Sequence, residues 1–318
     1  MHIEYQVAIA FVLDWILGDP RRFPHPVKYI GRTALLLEKP MRQIISNARF
    51  AGIMTAFIII AGTGGLTYLL LIAAGQAHPF VADILGIVII YTTIAAKDLN
   101  EHAMRVFRAL KAGDLPEARS ALSMMVGRDT AELDEPEIVR GVIESVAENL
   151  VDGVTAPLLF AIIGGPAGAI LYKAINTLDS TFGYRTPCYL MFGWASARID
   201  DLVNWLPARL TVPCIIVAAV IMGKDAAGAL RIARRDGSKH DSPNSGISEA
   251  AFAGALYVQL GGLNYYWGKA HQGQLIGDDL ITLKSCHITE ANRLMYLSTI
   301  IFTFVAIGIR AAFSVTCF

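Results

Sequence analysis

Charge is scarce in this chain. Only 17% of its 318 residues are Asp, Glu, Lys or Arg, and 27 basic residues balance 27 acidic ones, so the formal net charge is zero. Nucleic acid binds basic surfaces, and this balance weighs against such a partner. Cysteine is also rare: Cys188, Cys214, Cys286 and Cys317 lie far apart and form no CxxC, which suggests neither a zinc site nor a disulfide framework. There is no GxxxxGK[ST] loop and no GxGxxG after a strand, so any nucleotide is held by other means. No segment alternates well enough to predict a strand, and no repeat or linker divides residues 1–318. "MHIEYQ" and "WILGDP" have neither the positive start nor the small-residue cleavage site of a signal peptide.

What the chain does have is apolar length. Hydrophobic residues make up 54% of it and the mean hydropathy is +0.48, beyond ordinary soluble composition. A spanning helix needs about 20 mainly apolar residues. Residues 51–74 contain no charge, 80–96 carry only Asp83, and 294–313 hold one arginine near the far end; Ile3 to Leu17 is a shorter candidate. Residues 154–171 and 209–223 are short or interrupted by Gly and Pro. They can both cross, or enter and return where protein or a wet cavity surrounds the irregular backbone, and re-entry is the preferred expectation. The predicted fold is an all-α integral membrane protein, a single membrane-embedded domain with four to six transmembrane or re-entrant helices and amphipathic cytoplasmic helices and loops. Arg21, Arg22, Lys28, Arg32, Lys39, Arg42 and Arg49 crowd residues 18–50, whereas "MHIEYQ" and "GQAHP" have no Lys or Arg. The excess of cations puts 18–50, and by parity 97–153, on the cytoplasmic side of the inner membrane.

Three constellations stand out. Glu144, Glu148 and Asp152 recur at i, i+4 and i+8, along one face of a predicted helix just before an apolar run. The plain reading is a solvated face with Arg140 pairing to Glu144; the functional one is a binding site for a cation or an amine, since like charges repel unless a positive group joins them. In "RIDDLVNWLPARL", Asp200 and Asp201 offer oxygen ligands of the kind magnesium takes beside substrate phosphates, against a plain reading of caps and salt bridges. In "RRDGSKHDSPNSGISEAA", Lys239, His240 and Asn244 sit in a loop rich in backbone donors ahead of a helix, a composition suited to anions or simply a polar turn.

"GDPRRFPHPVKYIGR", "VGRDT", "IESVAENLVDGVTAPL", "YKAINTLDSTFGYR", "SARIDDLVNWLPARL" and "DGSKHDSPNSGISEAAFAGAL", in this order from about residue 13 to 266, resemble the adenosylcobinamide-phosphate synthase family of cobalamin biosynthesis, the CbiB/CobD type. Residues 40–96 share only hydrophobicity with it. The resemblance implies a membrane ligase that forms an amide between (R)-1-aminopropan-2-ol, or its O-phosphate, and the free propionate of adenosylcobyric acid. It also implies ATP and Mg2+, and leaves room for association with other enzymes of the pathway. A carboxylate does not react with an amine until it is activated, so the expected roles are Mg2+ and ATP phosphates at Asp200 and Asp201. Phosphate or carboxamide contacts are expected from Arg21, His25, Arg128, Lys173, Arg185, Arg198, Lys239, His240 and Asn244. Glu148 or Glu144, with Asp152 beside them, would anchor the ammonium or accept its proton. Two other classes remain: a transferase acting on a polyprenyl-type phosphate through a magnesium-binding aspartate pair, and a non-enzymatic membrane sensor or transporter.

Overall fold

A computed structural model describes residues 1–19, 25–184 and 186–316. In chain order the helices are α1 (Ile3–Leu17), α2 (Pro26–Ile44), α3 (Ala48–Ala77), α4 (Pro79–Tyr91), α5 (Ala96–Lys111), α6 (Leu115–Ser123), α7 (Glu135–Leu150), a π-helical turn (Val151–Thr155), α8 (Ala156–Phe182), α9 (Trp194–Ile221), α10 (Ala226–Asp236) and α11 (Ser245–Leu256). Strands β1 (Leu260–Tyr266) and β2 (Lys269–Ile276) follow, then α12 (Cys286–Thr316). Two compact units interleave in the sequence. One is built from Met1–Ala95, Ala156–Asn204 and the C-terminal segment from Val305, the other from Ala96–Thr155 and Trp205–Phe304.

In the first unit the apolar helices begin where local chemistry predicts. Asn47 caps α3 by accepting from the Phe50 amide at 3.0 Å, and Pro79 opens α4 behind a His78 ring that accepts from the Phe80 amide at 3.1 Å. The core joins Ile30 and Ala34 of α2, Ala51, Ala56 and Ile59 of α3, Ile89 of α4, and Ile170, Ala174, Leu178 and Phe182 of α8 with Phe192. The most apolar stretch of α3 is only 17% buried inside the protein, which leaves Leu66, Tyr68 and Leu69 outward. An apolar helix with so little protein around it matches a lipid-facing span.

Among the described residues, five helical stretches are long and apolar enough to cross a membrane: Ala48–Ala77, Pro79–Lys111, Glu135–Phe182, Trp194–Ile221 and Cys286–Ala312. Two of them overlap the segments 154–171 and 209–223 expected to be short and re-entrant, and the two behave differently. α8 breaks at Gly165, with φ +61° ahead of Pro166, and doubles back: the rings of Phe160 and Tyr172, twelve residues apart, stack with centroids 5.2 Å apart, and a side chain on Gly168 would meet the Phe160 carbonyl, the course expected of a re-entrant 154–171. α9 runs through Pro207 and Pro213 without ending; Thr211 Oγ1 donates to the Pro207 carbonyl at 2.8 Å. α1, at 15 residues, falls short of the spanning length.

The second unit also corrects the expectation of helices alone. β1 and β2 pair antiparallel around a two-residue turn at Trp267 and Gly268, both with positive φ, the geometry of a tight hairpin. Asp129 fixes that turn: its carboxylate accepts from the amides of Trp267 at 3.2 Å and Gly268 at 2.7 Å. Strands made of "LGGLNYY" and "KAHQGQLI" hide from a search for alternation, because a bulge between Gly261 and Leu263 breaks the period. α10 and α11 pack against each other through Gly228 and Gly254, where a side chain on either would meet the other's backbone.

Candidate functional site

α7 starts from a capping box in which Asp134 accepts from the Glu137 amide and Glu137 from the Asp134 amide, each at 2.9 Å. From that fixed start, Glu144 and Glu148 face α11 and the hairpin across a cavity of about 380 Å³. Arg128, Lys239, His240, Glu249, Asn264, Tyr266 and His271 also line it.

Arg128 organises one wall. Its side chain is 5% exposed, and Nη1 donates to Glu144 Oε2 and to Asn264 Oδ1, each at 2.7 Å. Nη2 lies over Gly141, where any side chain would collide with it. The Nε and Nη2 groups are buried without a hydrogen-bond partner, an unusual state for a guanidinium. Glu144 is fully engaged: Oε1 accepts from the Gly261 amide at 2.7 Å while Oε2 takes Arg128. Arg140 reaches past it to the carbonyls of Gly261 and Leu263. These contacts tie the hairpin to α7.

Glu148 is less constrained, accepting from Ser245 Oγ at 3.0 Å. Glu249, on α11, is 4% exposed. Its carboxyl is pushed well above the usual range, first by burial and then by the negative charges of Glu144 and Glu148, with Arg128 acting in the opposite sense. The 237–244 loop forms the other wall. It hangs from Asp236, which takes Arg235 at 2.7 and 2.8 Å, Lys239 at 2.7 Å and the Gly277 amide at 2.8 Å. The cations hold the Asp236 carboxyl far below the ordinary carboxylate range, the Arg235 hydrogen bond foremost. Within the loop, His240 Nδ1 accepts from the Ser242 amide at 3.0 Å, and Asn244 Oδ1 accepts from Arg209 at 3.4 Å.

The sequence-predicted residues therefore divide. Glu144, Glu148, Arg128, Lys239 and His240 meet in the one cavity, with Asn244 in the adjoining loop. Asp152 sits half-buried in the π-helical turn and is not among the lining residues, because a wider turn breaks the i+4 register that would have aligned it with Glu148. His25, Lys173, Asp200, Asp201 and Arg198 belong to the first unit. There His25 Nε2 lies 2.7 Å from Asp19, whose carboxyl is lowered by that hydrogen bond and by the charges of His25, Lys28 and Lys173, against the effect of burial. Lys173 donates to Asn176 at 3.5 Å, and Asn176 in turn to Asp200 at 3.4 Å; Asn204 donates to Asp200 at 2.9 Å. Asp201 faces Arg198 instead, at 3.7 Å. Neighbours on a helix point about 100° apart, and Asp200 and Asp201 accordingly turn to different partners. Among the described residues no group of three or more His, Cys, Asp or Glu is arranged to hold a metal. Arg21 and Arg185 lie outside the described residues.

Glu249, Asn264, Tyr266 and His271 escaped the sequence reading. The available signal was Glu249 itself, a single acid in the apolar helix that runs from 246 to 256. Such a residue is buried at a cost unless it has work to do there.

Residues 7–295 match the CobD/Cbib protein family. The chain is 49% identical over 290 residues to the cobalamin biosynthesis protein CobD of Geobacter metallireducens, covering 91% of each chain. It is 46% identical over 299 residues to that of Leptospira interrogans, covering 94% of this chain and 95% of the other. It is 41% identical over 311 residues to that of Clostridium perfringens, covering 98% and 99%. No solved structure matches it.

Proposed function

The chain belongs to the CobD/CbiB family of cobalamin biosynthesis proteins, and from that premise we propose that it is the pathway's amide-forming ligase. Its reaction joins 1-aminopropan-2-ol, free or as the O-phosphate, to a propionate of cobyric acid in its adenosylated form, with ATP supplying the activation. The observation that supports this reading is the distribution of charge in the second unit's cavity: Glu144, Glu148 and Glu249 with Arg128 on one side, Lys239, His240 and His271 with Asp241 on the loop and hairpin side. A small molecule with an ammonium at one end and a phosphate at the other is matched by that division of charge, and about 380 Å³ is ample for it.

In this reading Glu148 holds the ammonium. Glu144, engaged by Arg128 and Gly261, keeps the wall rigid, and the Lys239 and His240 side orients the phosphate. The amine can react only after losing a proton, and the propionate only after ATP has converted its oxygen into a leaving group. Magnesium enters as the companion of the ATP phosphates, which asks the protein for one or two carboxylates at most. The alternative of a polyprenyl-phosphate transferase rests on the Asp200 and Asp201 pair, and the family match favours the ligase over it. Purified protein in detergent, given cobyric acid, either amine form, ATP and Mg2+, is expected to yield a corrinoid amide detectable by mass. Absence of any corrinoid amide with both amine forms refutes the reading.

A further inference from the structure

Three carboxylates share the cavity, and they are not equivalent. Glu144 has both oxygens bonded, one to Arg128 and one to the Gly261 amide. Glu148 sits opposite Ser245. Glu249 is the most deeply buried of the three, and its ion-pair neighbour, His240 Nε2, stands 3.8 Å away, beyond hydrogen-bond reach. We propose that Glu249 is the group that accepts the proton of the substrate ammonium, after giving up its own proton as that ammonium enters the cavity. The proposal rests on the cavity being the amine site of the ligase.

The charges around Glu249 favour this over a role for Glu148. From α7 it feels Glu144 and Glu148; from the 126–130 segment, Arg128; from the 237–244 loop, Lys239, His240 and Asp241; from the hairpin, Tyr266 and His271. α10 packs on α11 through small residues, and its buried Asp236 is engaged by Arg235, Lys239 and the Gly277 amide. In the empty cavity, burial and two negative neighbours favour the protonated form of Glu249. An ammonium at contact distance supplies the missing positive charge, so the carboxyl ionises and its proton leaves past His240 at the half-buried rim. The cavity then holds a carboxylate whose only stabilising change is the bound cation, which makes it a ready proton acceptor. The buried, partnerless Nε and Nη2 of Arg128 add positive field without hydrogen-bonding the carboxylates further.

The step balances. The ammonium transfers one proton to the Glu249 carboxylate and becomes a neutral amine. The nitrogen lone pair forms the C–N bond to the activated carbonyl as the bond to the phosphate oxygen breaks, and the nitrogen's second proton leaves with the phosphate. Glu249 finishes protonated, as it began. One proton per turnover reaches solvent, the one expelled on binding.

Two measurements test this. Calorimetric titration of wild type near pH 7 with free 1-aminopropan-2-ol, in two buffers of different ionisation enthalpy, should show about one proton released per amine bound, and Glu249→Gln should release none. In the ligation assay Glu249→Gln should lose about 10²- to 10⁴-fold in kcat with the amine KM nearly unchanged, and Glu249→Asp should recover part of the rate. A wild type that binds amine without releasing a proton overturns the proposal, as does a Glu249→Gln variant whose kcat stays within about tenfold of wild type or whose loss lies wholly in KM. Should Glu249→Gln fail to accumulate, the wild-type proton count and the Glu249→Asp rate decide. A wild type that makes no corrinoid amide at all brings down the ligase reading instead, a result distinct from each of these.

Discussion

Replacing Gly141 by alanine adds one methyl group to α7, and the structure determines the sign of its effect. In an open helix the change stabilises, because alanine exceeds glycine by about 1 kcal/mol in helix propensity. Here the new Cβ would collide with Arg128 Nη2 and press on Leu122 Cδ2 at 3.1 Å. Arg128 is too enclosed to step aside freely, with a side chain 5% exposed. Overpacking of this kind costs roughly 1–3 kcal/mol. Displacing the guanidinium also weakens two charge-assisted hydrogen bonds, to Glu144 and Asn264, each worth about 1.5–3 kcal/mol. After the propensity gain is subtracted, Gly141→Ala should destabilise by about 2–4 kcal/mol. In an Arg128→Gln background the obstacle is gone, and the same methyl should be neutral or stabilising by up to about 1 kcal/mol. The coupling between the two sites should therefore be about 2–5 kcal/mol, at or above the top of the range for residues in contact. Thermal unfolding of the four proteins in one detergent, followed by tryptophan fluorescence, gives the comparison. A stabilising Gly141→Ala in wild type, or an equal cost in both backgrounds, refutes the packing described for Arg128.

Three further outcomes follow from other parts of the molecule. Asp236→Asn should loosen the 237–244 loop and lower thermal stability at neutral pH. Because the folded-state carboxyl is held far below its unfolded value, its contribution is fully present above the ordinary carboxylate range and fades only as pH falls toward the depressed value; thus the gap between wild type and variant should persist at pH 4. Asp200→Asn should disturb the first unit more than Asp201→Asn, since Asp200 is buried between Asn176 and Asn204 while Asp201 meets an exposed Arg198; excess Mg2+ that restores activity to either variant would contradict the separation of the pair. Ser46→Cys, in a background with Cys188, Cys286 and Cys317 changed to serine, should resist an impermeant thiol reagent applied to intact cells if the cations of residues 18–50 hold that segment on the cytoplasmic side; strong labelling overturns that orientation.

The long helices were legible because bilayer length and missing charge are properties of composition alone, as in residues 51–74. Gly and Pro marked both 154–171 and 209–223 as irregular, and they act differently in the two: α8 doubles back at Gly165, as re-entry requires, whereas α9 runs on as helix through Pro207 and Pro213. Glu144 and Glu148 were found by their spacing, and Lys239 and His240 by the loop's composition, since both patterns are local. Asp152 showed the limit of spacing, because nothing in "VDGVT" announces a π-helical turn. Glu249 and the hairpin residues depend on contacts across more than 100 positions, such as Glu144 to Gly261 and Arg128 to Asn264, and no local pattern reveals such pairs.

In the ligase reading the cavity of the second unit holds the amine that becomes part of the corrinoid. That placement is tested most directly by the amine concentration dependence of ligation, using nitrogen-labelled aminopropanol phosphate, cobyric acid and ATP with wild type and Glu148→Gln. Labelled nitrogen should appear in the corrinoid product and, for Glu148→Gln, the amine KM should rise on the order of tenfold or more with a smaller change in kcat, as loss of a charge-assisted contact to the ammonium requires. A labelled corrinoid formed by Glu148→Gln at the wild-type KM and kcat would contradict it, and would place the amine elsewhere in the protein.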